Sequence, residues 1–191
     1  YHKPSGEMLR RQAGDDREEV EANLPKLHAG RWIPINALGY GEDGLLALTS
    51  DGAVASAIAR RGREQPVEYR VRALRPAGDV DWPEVPTEVE VDGQAVAFTA
   101  VERAGTEALN EWFRVAAERA VPRGAVRALF DAAGLKVSRI LLVQWGPLQL
   151  PRDLPRGRSR DVAGEELDAL LALAGVAKKP AKEQRPRGGG S

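Results

Sequence analysis

Residues 36–52, Asn-Ala-Leu-Gly-Tyr-Gly-Glu-Asp-Gly-Leu-Leu-Ala-Leu-Thr-Ser-Asp-Gly, constrain this chain more than any other stretch. An apolar run, Trp32-Ile-Pro-Ile35, leads into it, and Gly39, Gly41 and Gly44 break the run into a tight loop. A second apolar run, Leu45 to Leu48, leaves the loop and stops at Ser50-Asp51-Gly52, a turn signal. Strand, glycine loop, strand and turn predict a backbone held close to something.

As a bare pattern, Gly39-Tyr-Gly41-Glu-Asp-Gly44 is G-x-G-x-x-G, the fingerprint of dinucleotide sites. That fingerprint needs a helix to start inside the motif, so that its N-terminus faces a pyrophosphate. Here the motif enters a short apolar segment instead, and Glu42 and Asp43 would set negative charge beside a phosphate. A nucleotide-binding protein built on the loop is the weakest of the readings.

The chain of 191 residues has room for one large domain or two small lobes sharing a sheet. No run approaches the roughly 18 apolar residues of a membrane span. Cysteine is absent, which removes disulfides and thiolate metal sites and suits a cytoplasmic protein. Two histidines, His2 and His28, support neither a catalytic triad nor a metal set. No metal and no cofactor is expected. Tyr1-His-Lys-Pro reads as an internal start.

A formal net charge of zero hides segregation. Residues 79–111 hold nine acids and one arginine, whereas residues 123–160 hold eight basic residues against Asp131 and Asp153. Residues 60–75 add six arginines against two glutamates. A basic face on a neutral protein is what a binder of phosphate backbones needs. Solvated charges that never meet are the competing explanation.

In chain order, residues 1–9 read as a short strand broken by a Pro-x-Gly turn. Residues 15–24 carry acids where a helix begins. Trp32 is expected in the core. Residues 52–61 predict a brief alanine-rich helix ended by Gly62. Pro66 to Leu74 alternates, with Val67, Tyr69, Val71 and Ala73 on one face and Glu68, Arg70 and Arg72 on the other. Residues 76–111 look like a small lobe with a hairpin turning at Asp92-Gly93. A strand from Asn110, a helix from Arg123 to Ala133, a long strand from Lys136 and a closing amphipathic helix over 161–175 follow. The basic tail from Lys178 has no apolar pattern, so residues 176–191 are expected to be disordered.

Several of these segments, in order, resemble the RsuA/RluB-type ribosomal RNA pseudouridine synthase family. Residues 36–52 are similar to its G-R-L-D-x-x-T-x-G-L-L-L-L-T-x-D-G, matching at Leu38, Gly44, Leu45, Leu46, Leu48, Thr49, Asp51 and Gly52. Lys3-Pro-Ser-Gly6, Leu24-Pro-Lys-Leu27 with Arg31-Trp-Ile33, Val137-Ser-Arg-Ile140 and Leu150-Pro-Arg-Asp-Leu-Pro-Arg-Gly157 are similar to further family motifs. In the family's E-G-R-N-R-x-V-R-R-M region this chain has Arg119-Ala-Val-Pro-Arg-Gly-Ala-Val-Arg-Ala-Leu-Phe130, where Val126, Arg127 and Leu129 match.

The resemblance implies an α+β fold over residues 1–175, two lobes on a mixed, mostly antiparallel central sheet with flanking helices and a cleft. Family members usually carry a small S4 domain ahead of it. The resemblance also implies that Tyr69 stacks on a flipped-out target uridine. The family's nucleophilic aspartate falls at Gly39, and the arginine before it at Ala37. One family arginine normally pairs with that aspartate; Arg123 is the candidate to stand in for one of the family's arginines, but Pro122, Gly124 and Ala128 break the pattern. Losing both charges together is coherent, since either one alone in a cleft is costly.

Two functions of different class follow. The first is a binding protein that has lost its nucleophile and holds structured RNA, ribosomal by resemblance, through Lys3, Arg31, Arg70, Arg123, Arg127, Arg139, Arg152 and Arg156. The second is an active uridine-to-pseudouridine isomerase, with Glu42 or Asp43 as a substitute carboxylate or with position 39 altered from a natural enzyme. An acidic oxygen in the missing group's place, set against the Tyr69 phenol, would favour the second. A monomer is expected in either case.

Overall fold

The alternation along Val67–Leu74 is realised as a central strand with the core packed on one of its faces. The computed structural model describes residues 1–8, 19–74, 81–107 and 110–176. Strands β1 (His2–Lys3), β2 (Ile33–Pro34), β3 (Asp43–Leu45) and β4 (Leu48–Thr49) precede helix α1 (Gly52–Arg61). Strands β5 (Val67–Leu74), β6 (Glu88–Val91), β7 (Gln94–Ala97), β8 (Ala100–Glu107) and β9 (Asn110–Ala117) follow. Helix α2 (Ala125–Ala132), strands β10 (Val137–Trp145) and β11 (Leu148–Gln149), and helix α3 (Gly164–Ala174) complete the described chain.

The main sheet runs β1-β3-β10-β5-β9-β8, with β11 paired to β10. Its pairings are antiparallel except β3 with β10, so the sheet is mixed and mostly antiparallel as expected. Tyr69 sits opposite Val115 of β9 and Leu142 of β10, all three buried. That face carries the core. Phe113 meets Phe130 of α2 edge to face with centroids 5.0 Å apart, and Ile58 of α1 is fully buried. Each such side chain contributes about 1.5–3 kcal/mol by leaving water. The other face presents Glu68, Arg70 and Arg72, none of them buried.

Local details depart from the expectations for identifiable reasons. Asp51 is more than part of a turn: its side chain caps α1, accepting from the backbone N–H groups of Ala53 (2.9 Å) and Val54 (3.3 Å). Gly62 does end α1, but with a right-handed φ of −64°. Its glycine serves packing, since a Cβ there would lie 3.1 Å from the Trp145 ring. The hairpin at Asp92-Gly93 forms between β6 and β7. The strand after it breaks at Phe98-Thr99, and β8 crosses to the edge of the main sheet, so residues 100–107 belong to that sheet and not to a separate lobe. Trp32 is half-buried, with its indole N–H donating to the Pro25 carbonyl at 2.9 Å. Of the predicted helix over 15–24, residues 15–18 lie outside the described residues, and within 19–24 a single 3-10 turn spans Val20–Asn23. The tail beyond residue 176 also lies outside them. No described helix is long and apolar enough to cross a membrane.

Candidate functional site

Three pieces of chain meet above Tyr69: the glycine loop, the centre of β5 and the segment entering α2. The loop is fixed at both ends. At its exit, Gly44 has φ +117° and packs so closely on β10 that a Cβ would lie 2.2 Å from the Leu142 carbonyl oxygen. Only glycine satisfies both conditions. At its entry, Asn36 donates to the Leu45 carbonyl at 2.9 Å and accepts from the Ala47 N–H at 2.8 Å, bridging the two apolar runs.

Lys3 holds the loop from inside. Its side chain is fully buried, and Nζ donates to the carbonyls of Pro4, Gly39 and Glu42, each at 3.1 Å. Burial lowers its pKa, partly opposed by the charges of Glu7, Asp43 and Glu42. The expectation that Lys3 touches RNA is therefore corrected: its ammonium is spent on backbone carbonyls and has no surface to offer.

Gly39 has no left-handed backbone to explain it. A Cβ built on it would lie 2.9 Å from Oε2 of Glu42, and its N–H donates to that same oxygen at 2.6 Å. The Glu42 carboxylate thus fills the place into which a side chain at position 39 would project. Together with Leu38, Tyr69, Arg123 and Val126, these residues line a cleft of about 40 Å³. Tyr69 is 8% exposed, and burial, then the charge of Glu42, raises its phenol well above the ordinary range. The two groups feel each other through charge, and no hydrogen bond joins them.

Asp43 does not share this cleft. It is buried, and its Oδ2 pairs with Nε of Arg139 and, at 3.2 Å, with Nη2 of Arg156. The reading of Asp43 as a substitute nucleophile beside Tyr69 gains no support from that geometry, because Asp43 does not line the cleft. The same contacts tie down Arg139 and Arg156, although Arg156 keeps about half its side chain exposed at 49%. Arg127 donates to the Val137 carbonyl at 3.1 Å. Arg31, Arg70, Arg123 and Arg152 are exposed. Alternation along β5 puts Arg70 on the face away from Tyr69, so the basic residues do not form a single face.

Sequence reasoning missed the buried role of Lys3 and the bridge at Asn36. An aliphatic-stemmed cation two residues from the chain start gives no signal of a carbonyl cage. Among the described residues no group of three or more His, Asp or Glu side chains could hold a metal ion.

The fold is that of a pseudouridylate synthase. A crystal structure described by that name superposes with a TM-score of 0.64 at 20% identity, covering 88% of this chain and 71% of the other. No protein-family model matches the chain. In sequence it is 37% identical over 177 residues to "Ribosomal large subunit pseudouridine synthase B" of Xanthomonas campestris, a match covering 90% of this chain and 36% of the relative. It is 35% identical over 157 residues to the protein of that name from Escherichia coli K12, covering 82% of this chain and 54% of the relative. The chain spans about half the length of such relatives or less. These matches support its membership of the ribosomal RNA pseudouridine synthase family.

Proposed function

We propose that this domain binds a structured segment of ribosomal RNA in the cytoplasm and receives a uridine over Tyr69, but is impaired in converting it to pseudouridine. The reading rests on one observation, the 2.6 Å hydrogen bond from the Gly39 N–H to Oε2 of Glu42. By the family resemblance, position 39 is where the attacking carboxylate belongs, and Gly39 supplies none. The acidic oxygen that lies there is turned back onto the loop backbone. A charge-assisted bond of this kind stabilises the anion and fixes its direction. Covalent attack tolerates little error, and about 1 Å of misplacement can cost roughly a hundredfold. Arg123 makes no ion pair with Glu42, so the arginine–carboxylate pair of the family is not rebuilt.

The second reading is an active isomerase using Glu42, and the 2.9 Å separation between Oε2 and the Cβ position of residue 39 favours it. Uridine and pseudouridine are isomers, so such a reaction needs a nucleophile and no oxidant. One experiment decides between the readings. The protein is incubated with large-subunit ribosomal RNA fragments, and pseudouridine is mapped chemically. The expected result is RNA retention with no new pseudouridine. Product that appears with the unaltered protein and disappears with Glu42→Gln overturns the proposal in favour of the second reading. A protein that binds no RNA, or binds it with no dependence on salt, removes both.

A further inference from the structure

On the face of the sheet away from Tyr69 lies a second groove, of about 430 Å³, lined by His2, Glu68, Arg70, Gln144, Gln149 and Arg152 among others. Its charge is positive where it is open. Glu68 is neutralised by Arg114, whose Nη2 lies 2.8 Å and Nε 2.9 Å from Oε2. Arg70 and Arg152 are both exposed, and neither makes an ion pair or hydrogen bond among the described residues. Other arginines nearby are occupied: Arg139 and Arg156 by Asp43, Arg114 by Glu68 and Glu102.

His2 adds a second, independent feature. Its Nδ1 lies 2.8 Å from the Leu154 carbonyl, which can only accept, so Nδ1 carries the proton. Nε2 is buried without a partner, and in the neutral ring it is an acceptor. Buried polar atoms are rarely left unpaired, and an exception calls for a missing donor. Two unpaired guanidiniums beside an orphan acceptor and two side-chain amides match the repeating unit of an RNA strand. The phosphates supply anions, and the ribose 2′-hydroxyl supplies the donor that DNA lacks.

We infer that this groove is a second RNA-binding site, holding the sugar-phosphate backbone of a single strand that flanks the segment engaged at the cleft. Arg70 and Arg152 contact phosphates, and His2 with Gln144 and Gln149 reads the ribose edge. The inference rests on the reading of RNA as the partner, but not on any chemistry at Gly39 or Glu42.

The test measures binding of a large-subunit ribosomal RNA fragment and its 2′-deoxy counterpart across a salt series, with the whole chain and the Arg70→Gln/Arg152→Gln variant. Both arginines are at the surface, and a circular-dichroism melt checks that the variant folds. Each lost phosphate contact lowers the log–log salt slope by about 0.7–0.9, so the double change should flatten it by between one and two and weaken binding roughly tenfold at about 0.15 M salt. The unaltered protein should prefer the RNA strand. If it binds RNA and the variant keeps its affinity and slope, the second site is wrong while the RNA reading stands. If the unaltered protein binds no RNA, the RNA reading itself fails.

Discussion

The ammonium of Lys3 lies 3.1 Å from the carbonyl oxygen of Gly39, a residue thirty-six positions further along the chain. The same nitrogen reaches the Glu42 carbonyl at 3.1 Å, so one buried cation ties both ends of the short loop that carries the carboxylate. Replacing it with Lys3→Met keeps the stem but strands several buried carbonyls. Leaving one such group unsatisfied costs about 1–3 kcal/mol, and urea denaturation should show a loss of at least that size. A midpoint equal to that of the unaltered protein would mean that water replaces the ammonium at no cost.

Two glycines of one loop should respond oppositely to the same substitution. Gly44→Ala puts a methyl group 2.2 Å from a β10 carbonyl oxygen, at a φ of +117°. Backbone strain of about 1–3 kcal/mol adds to the clash, and the protein should be strongly destabilised. Gly39→Ala meets only the flexible tip of Glu42 at an ordinary φ, and should shift stability within about 1 kcal/mol. Paired thermal melts check the contrast; similar losses at the two sites would contradict the described loop.

Restoring the family's residue types should require two changes. Gly39→Asp alone sets a carboxylate against that of Glu42, and two like charges at such range resist joint ionisation. Gly39→Asp with Glu42→Thr removes the competitor and rebuilds the D-x-x-T spacing of the family pattern. Pseudouridine mapping on ribosomal RNA should show more product with the double variant than with either single one. Equal yields from all three would remove Glu42 from the proposed impairment.

The phenol of Tyr69 should stay protonated as the pH passes the ordinary tyrosine value of 10.0, because burial and then the charge of Glu42 oppose ionisation. The folded protein then holds a proton that the unfolded chain releases above about pH 10. Stability therefore falls with rising pH in that range, by the linkage of proton binding to folding. Tyr69→Phe should make the decline shallower and leave the phenolate absorbance gained below that range unchanged. A Tyr69 signal titrating near 10.0 in the folded protein would show the ring to be open to water.

Much of the scaffold could be read from local pattern. Strand β5 and helix α1 follow from side-chain alternation and from a capped alanine-rich run, both set by residues a few positions apart. The separated motifs, matched in order, indicated the mixed sheet and the cleft. Where sequence reading failed, distant chain was responsible. Lys3 looks like a surface cation until β1 pairs with β3 and closes a carbonyl cage around it. Asp43 and Glu42 are neighbours and both carry carboxyl groups. Asp43, at the start of β3, meets Arg139 and Arg156, whereas Glu42, in the loop before it, lines the cleft.

By itself the sequence determined which residue types are available: a glycine at position 39, a tyrosine on the inward side of β5, and an excess of basic over acidic residues across positions 123–160. Their local spacing also dictated the elements that carry them, since helix and strand periodicity act over a few residues. The tertiary structure alone decided which charges are free. A guanidinium or carboxylate is committed or available according to what lies within about 3–4 Å of it, and those neighbours come from strands far apart in the chain.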